Sequence, residues 1–381
     1  MKPLPCPDLD SCPLLVVVAS CHNGAESLPG LVGCLRAQEY PSSRYRFIAL
    51  IDNCSDRSLD VARSLGVEVY ERNNPQKLGK GFALNDLLEK KLQDGKFDGL
   101  VLLDIDARFD SRFLLTAAHR LLRGDSIIQG SSRAKNASES GLKWVGDIIL
   151  GLLKVHQIGR SHLGLPPLLI GSHGICISYG SLSRLDWKID TGQTADDLEL
   201  SLRAFLKGIS MVYVPDLVVW SEVPEDFRSI RRQRRRWTCN SLRMAPQYFH
   251  RLFLAIFSAP WRAADLLFVV LLGPSFSNLL LVLTLTSAAM GFWALLNPAV
   301  TIWFFLFFVL WILDFAYFIA AFAVLKEKIT FRRLLVFLRY LGVRGMALAE
   351  SIFLVGSKNW WPTKHYGDGP ENFIPGQEQG D

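Results

Sequence analysis

The sequence predicts an α/β domain on a mostly parallel, doubly wound sheet, followed by a helical membrane region with two transmembrane helices and interfacial helices. Three observations carry this. Short apolar runs alternate with helix-like segments through the first half of the chain, polar clusters rich in Asp, Asn and Gly follow three of those runs, and two long apolar stretches lie beyond residue 262. Short runs rich in Val, Ile and Leu suit parallel strands buried on both faces, and in such sheets ligands bind at the carboxyl ends of the strands.

The elements follow in order. Strand-like runs occupy 14–19, 47–51, 67–70 and 100–103, and between and after them helix-like segments occupy 28–38, 58–65, 81–92 and 111–122. Residues immediately beyond the runs are therefore the ones that face a ligand: SCHNGAE after the first, IDNCSD at the second and LLDIDARF at the fourth. The segment TADDLELSLRAFL reads as the start of a further helix, with Thr194 as a cap and acids in its first turn. A basic run, RSIRRQRRRW, comes next.

The apolar stretches span 266–296 and 300–325, each longer than the roughly twenty residues that a helix needs to cross a bilayer. The connection near Asn297 and Pro298 is short and uncharged, whereas Arg262 and the arginine run precede it and Lys326, Lys328, Arg332 and Arg333 follow. The positive-inside rule then places both ends in the cytosol. This gives a cytosolic α/β domain over 1–240, an interfacial helix over 241–262, two transmembrane helices over 263–326, interfacial helices over 327–357, and a possible gating segment with the C-terminal tail over 358–381. The expected location is an integral membrane protein, in a cell or inner membrane, with its catalytic domain cytosolic.

Composition agrees with this layout and excludes others. Half of the 381 residues are hydrophobic, which is high for a wholly soluble enzyme. The net charge of +6 is modest and its excess is local, around 228–236 and after Lys326, so it is no nucleic-acid signature. Seven cysteines without Cys-x-x-Cys spacing point to reduced thiols rather than a disulfide frame or a zinc site. The N-terminal MKPLPCPDLDSCPLLVVVAS is too short to span a bilayer and lacks the basic start of a signal peptide.

Asp104 and Asp106, just past VLL and facing the same mouth as Asp52, supply hard oxygen ligands for Mg²⁺ or Mn²⁺, with a diphosphate completing the shell. An Asp-x-Asp pair is also common in surface loops, and Asp52 alone reads equally as a strand-end turn residue.

Six motifs in order, LVVVASCHNGAESL, ALIDNCSDRSLDVA, LGKGFALNDLL, VLLDIDARF, TADDLEL and QRRRW, resemble the family 2 glycosyltransferases of the GT-A fold. The resemblance is to membrane-integrated members such as cellulose, chitin, hyaluronan and bacterial exopolysaccharide synthases, and covers residues 14 to about 240. It implies that Asp52 binds the uracil of a UDP-sugar. It further implies that Glu26, Lys80 and Asp104 lie at the nucleotide and that Asp104 and Asp106 hold Mg²⁺ or Mn²⁺. Asp197 matches the general base that takes a proton from the attacking acceptor hydroxyl, with Asp196 in place of the usual Glu. Gln233, Arg236 and Trp237 match Gln-x-x-Arg-Trp, whose Arg pairs with the diphosphate and whose Trp lies under the acceptor sugar. The other arginines, Arg231, Arg232, Arg234 and Arg235, are then available for anionic headgroups, a role that the whole run could also fill as an interfacial anchor. His173, in GSHGIC, falls at an acceptor-facing turn, and Gln129 and Asn136 lie in a stretch common to exopolysaccharide enzymes. Thr363, Lys364 and His365, in NWWPTKHYG, match a mobile gating segment. Departures are Ser20 where proline is usual, and Gly24 and Ala25 in the first loop.

The implied reaction is inverting transfer from a UDP-sugar to a growing polysaccharide at the cytosolic membrane face. Single-sugar addition to a lipid or lipid-linked acceptor is the alternative. Two spans form a poor channel for a polymer, so the expectation includes an export partner or an oligomer.

Overall fold

The computed structural model describes residues 11–93, 95–135, 141–169, 173–189, 196–224, 226–272, 276–325 and 330–354. Gating residues Thr363, Lys364 and His365, together with Asn136 and Thr194, lie outside them. The chain forms two compact units. The first comprises the described residues up to Lys135 together with Gln157–Val223, and the second comprises residues 141–156 and those from Pro224 onward.

The first unit is built on one mixed sheet. Its strands are β1 (Leu15–Cys21), β2 (Tyr45–Asp52), β3 (Glu68–Arg72), β4 (Gly99–Asp104), β5 (Arg108–Phe109), β6 (Ile127–Ala134), β7 (His173–Ser178) and β8 (Met211–Ser221). The order is β3-β2-β1-β4-β7-β6-β8-β5. Strands β1 to β4 are mutually parallel, β7 runs antiparallel between β4 and β6, and β8 pairs parallel with β6 and antiparallel with β5. Helices α1 (Leu28–Arg36), α2 (Ser58–Ser64), α3 (Lys80–Leu87) and α4 (Phe113–Leu122) connect the early strands. Helices α5 (Gly141–His162), α6 (Tyr179–Arg184) and α7 (Asp196–Leu206) follow.

Period-two alternation explains why β1 reads as an unbroken apolar run. Leu15, Val17, Ala19 and Cys21 point into one core, with Leu28, Leu31 and Phe113. Val16 and Val18 point into the other, with Leu84, Leu87 and Ile177. Both faces are covered, so neither set needs polar residues, and each fully buried Val or Leu contributes about 1.5–3 kcal/mol. The parallel register aligns Ser20 with Leu50 on one side and with Asp104 on the other, and aligns Asp52 with Arg72. Four strand ends carrying Cys21, Asp52, Arg72 and Asp104 therefore share one edge of the sheet.

The second unit is helical: α8 (Phe227–Ala255), α9 (Pro260–Leu272), α10 (Phe276–Leu296), α11 (Thr301–Val324) and α12 (Phe331–Leu354). Asp226 caps α8, its Oδ1 accepting from the Ser229 amide at 2.9 Å and its Oδ2 from the Ser229 hydroxyl at 2.6 Å. Such a cap is worth about 1 kcal/mol. A core of Trp144, Ile148, Ile230, Phe322, Phe337 and Tyr340 joins the start of α5 to α8, α11 and α12.

The expectation of two transmembrane helices over 263–326 finds no support among the described residues. Among the described residues, no helix is long and apolar enough to cross a membrane. The first apolar stretch holds part of α9 and the whole of α10. Polar side chains also occur within α10, at Thr284, Thr286 and Ser287. Thr284 accepts a 2.8 Å hydrogen bond from the Trp311 indole. The outer surface is nonetheless apolar, with Phe292, Leu295, Leu296, Ile302, Trp303 and Phe305 all exposed.

Candidate active site

The β1 and β2 ends are interlocked by side chains that cap each other's turns. Asn23 and Asn53 take positive φ, 55° and 49°, a conformation that Asn tolerates better than most residues. The Asn23 side-chain oxygen accepts from the Ser55 amide at 2.7 Å, and Asn53 Oδ1 accepts from the Asn74 amide at 2.7 Å. His22 Nδ1 bonds the Asp52 carbonyl at 2.9 Å, and the Gly24 amide donates to Ser58 Oγ at 3.0 Å. Glu26 is exposed in the turn before α1.

Asp52, 7% exposed, closes β2. Its Oδ1 accepts from Arg72 Nη1 at 2.5 Å and from the Asn53 amide nitrogen at 2.8 Å. Burial pushes this carboxyl above the ordinary Asp value, against the opposing pull of the Arg72 guanidinium. Arg72 is itself buried and also donates to the Lys77 carbonyl at 2.8 Å.

Lys80 opens α3 behind Gly79, whose φ of 125° only glycine adopts without strain. Its ammonium lies 2.5 Å from Asp104 Oδ1. Asp104 ends β4, and the Ala107 amide returns to its carbonyl at 3.1 Å, a turn that brings Asp106 to the same edge. Asp106 is 5% exposed, and its Oδ2 accepts from the Glu222 amide at 3.0 Å. Glu222, just past β8, forms a buried ion pair with Lys135, just past β6, at 3.1 Å. Behind the turn, Arg108 donates to the Ser27 carbonyl at 3.2 Å across Gly30. A Cβ on Gly30 would lie 2.1 Å from that guanidinium, so any other residue there would have to displace Arg108.

The structure therefore brings Asp52, Lys80, Asp104 and Asp106 to one edge of one sheet. Asp197 lies half-buried in the first turn of α7, its carbonyl accepting from Ser201 Oγ at 3.0 Å. Arg203 fastens the helix, donating to the carbonyls of Lys188 and Leu185 at 2.5 and 2.6 Å. The Asp196 and His173 side chains lie outside the described set.

In the second unit, Gln233, Arg236 and Trp237 sit at i, i+3 and i+4 of α8 and share one helix face. Trp237 is 41% exposed. Three of the neighbouring arginines have partners within this unit. Arg231 and Arg235 pair with Glu350 of α12, and Arg234 lies 4.6 Å over the Trp237 ring. Burial lowers Arg234 to about 10. Arg232 is exposed.

Sequence reasoning passed over Arg72, Lys135 and Glu222, and also Glu199, which is fully buried two residues after Asp197. For Arg72 a signal existed: it lies two residues past the third apolar run, as Asp52 lies one past the second.

Among the described residues, no three His, Cys, Asp or Glu side chains converge as a metal site. Asp104 and Asp106 fit a Mg²⁺ or Mn²⁺ ion only in part, as two hard carboxylates that need phosphate oxygens to complete a shell.

The model of glycosyl transferase family 2 matches residues 16–181, and that of glycosyl transferase family group 2 matches residues 99–325. A probable glucomannan 4-beta-mannosyltransferase 3 of Oryza sativa subsp. japonica is 28% identical over 242 residues, 60% of this chain and 43% of its own length. Glucomannan 4-beta-mannosyltransferase 1 of Cyamopsis tetragonoloba is 25% identical over 244 residues, 60% of this chain and 45% of its own. The chain thus spans less than half the length of these curated relatives. Among solved structures, the mannosyltransferase PcManGT of Pyrobaculum calidifontis in complex with GDP-Man and Mn²⁺ aligns with a TM-score of 0.48 at 18% identity. That alignment covers 83% of this chain and 88% of the other. Glucosyl-3-phosphoglycerate synthase of Mycobacterium tuberculosis, in complex with Mn²⁺, UDP and phosphoglyceric acid, aligns at 0.41 and 17% identity, over 57% and 73%. With more than half of its residues matched by one family model, on an α/β sheet whose strand ends gather Asp52, Lys80, Asp104 and Asp106, the chain belongs to glycosyltransferase family 2.

Proposed function

We propose that the chain transfers a hexosyl group from a UDP-sugar to a hydroxyl of a growing polysaccharide, with inversion, at the cytosolic face of a membrane. The observation that carries this is the Asp104–Lys80 contact at the shared strand edge, with Asp106 beside it and Asp52 two strands away. A nucleoside diphosphate has a base to recognise and a double negative charge to hold, and this edge offers a carboxylate for the first and an ammonium at a helix start for the second. Mg²⁺ or Mn²⁺, held by Asp104 and Asp106 with the diphosphate, would supply charge neutralisation on the leaving nucleotide. Lys80 then turns from Asp104 toward phosphate oxygen. Asp197 accepts the acceptor hydroxyl's proton as that proton becomes acidic, and displacement from the opposite side of the sugar inverts the anomeric centre.

The names of the curated relatives support a glycan acceptor and a mannosyl group. The exposed aromatic and aliphatic residues of α10 and α11 support attachment to a membrane, where Phe292, Trp293 and Trp303 meet lipid. A lipid-linked acceptor is the second reading, favoured by that same surface.

The test incubates the purified chain in lipid nanodiscs with Mn²⁺ and radiolabelled UDP- and GDP-sugars, with and without β-mannan oligosaccharides, and sizes the products. Extension of the oligosaccharide from a UDP-sugar supports the proposal, and extension from a GDP-sugar alone overturns its donor. Label found only in a single-sugar lipid supports the second reading, and label in neither overturns both.

A further inference from the structure

Both hydrogen bonds that the described residues make to the Asp52 carboxylate fall on one oxygen. Oδ1 accepts from Arg72 Nη1 at 2.5 Å and from Asn53 Nδ2 at 2.8 Å. A carboxylate oxygen has about two lone-pair sites, so Oδ1 is saturated and a base meets Oδ2. Arg72 cannot swing aside: it is 7% exposed, lies on β3 in register with Asp52, and is tied through Nη2 to the Lys77 carbonyl at 2.8 Å. Asn53 is equally fixed by the bond from the Asn74 amide.

We infer that Arg72, with Asn53, is a positioning residue that selects a base with a single ring N–H, uracil, over guanine. This rests on the proposed reading of Asp52 as the base contact. Uracil presents one donor, N3–H, between two carbonyls, and one carboxylate oxygen satisfies it. Guanine presents N1–H beside an amino group, a double donor that a carboxylate accepts through both oxygens. Against a half-occupied carboxylate, the guanine amino group faces an oxygen already filled and loses its partner. An unpaired buried donor costs more than the bond itself gains, so discrimination of about tenfold or more follows from this one contact.

The experiment measures UDP and GDP binding to the full chain by calorimetry with Mn²⁺ present, for wild type, Arg72→Lys, Arg72→Met and Asn53→Gly. Glycine suits the positive φ at position 53. Wild type should bind UDP about tenfold or more tightly than GDP. Arg72→Lys keeps a donor on Oδ1 and should keep that ratio. Arg72→Met and Asn53→Gly each free a lone pair and should narrow it several-fold. A purely structural Arg72 would lower the unfolding temperature without moving the ratio, and that result overturns the inference. Wild type that prefers GDP overturns it too while leaving the nucleotide-sugar reading intact, whereas wild type that binds neither nucleotide removes the reading on which it rests. If Arg72→Met does not fold, the Asn53→Gly ratio decides alone.

Discussion

The backbone amide of Glu222 donates to Oδ2 of Asp106 at 3.0 Å, so the end of β8 holds a carboxylate that the β4 turn delivers. What fixes Glu222 is its own side chain, paired with Lys135 at 3.1 Å with both groups buried. The ladder between β6 and β8 ends in the same place, the Lys135 amide reaching the Ser221 carbonyl at 2.9 Å.

Removing the cation from this pair leaves a buried carboxylate without it. Lys135→Met should therefore cost about 3 kcal/mol or more in denaturant unfolding. Glu222→Gln should cost less, because the amide remains a neutral partner for the lysine and the backbone bond to Asp106 is untouched. Equal stabilities of the two variants would show that the pair does not hold this corner.

Asp106→Asn preserves an acceptor for the Glu222 amide but removes a charge. It should lose transfer by about 10² to 10³-fold, the range for one electrostatic group aimed at developing charge, with an unchanged unfolding midpoint. Full activity of this variant, or of wild type in excess chelator, would sink the metal assignment.

Much of this site was legible because β1, β2 and β4 are buried on both faces. Their runs are nearly pure Val, Ile, Leu and Ala, and the first polar residue after each marks the ligand edge. The other half of the sheet was not legible. β5 has two residues, and β8 alternates buried and half-buried positions with Pro215 inside it, so no single period stands out. Glu222 acts through register with β6, which pairs residues far apart in sequence and leaves no local signature. The apolar stretches beyond residue 262 were plain in composition, and α9, α10 and α11 lie within or across them. In the arginine run, spacing told which side chains share a face, whereas the partner Glu350 lies over a hundred residues away.

Cys54, half-buried beside the base edge, offers a chemical probe. A hydrogen bond with the Cys21 thiol, together with the Asn23 amide 3.2 Å from its sulfur, lowers Cys54 to about 7, while Cys21 is pushed up. Its thiolate fraction therefore rises through pH 7, well below the range of an ordinary thiol. Iodoacetamide at pH 7.5 should label Cys54 before the buried Cys12, Cys21 and Cys176, as read by mass spectrometry, and UDP should slow the labelling. Labelling with a midpoint at pH 8.5 or above would contradict the assignment.

The arginine run yields the sharpest separation between anchor and active site. If the run acts only on anionic headgroups, charge matters more than geometry, so Arg236→Lys and Arg232→Lys should behave alike. Arg232 is the right control because it is exposed, whereas Arg234 is half-buried over the Trp237 ring and Arg231 and Arg235 hold Glu350. If Arg236 grips a diphosphate through its planar fork, lysine cannot reproduce the paired contact. Arg236→Lys should then lose about 2 to 3 kcal/mol of transition-state stabilisation, roughly thirty- to a hundred-fold in turnover, with Arg232→Lys near wild type. Trp237→Ala should raise the acceptor KM more than it weakens UDP binding, since an aromatic face serves the sugar and not the nucleotide. Equal, small effects at Arg232 and Arg236, with vesicle flotation intact, would refute the catalytic reading of Gln233, Arg236 and Trp237.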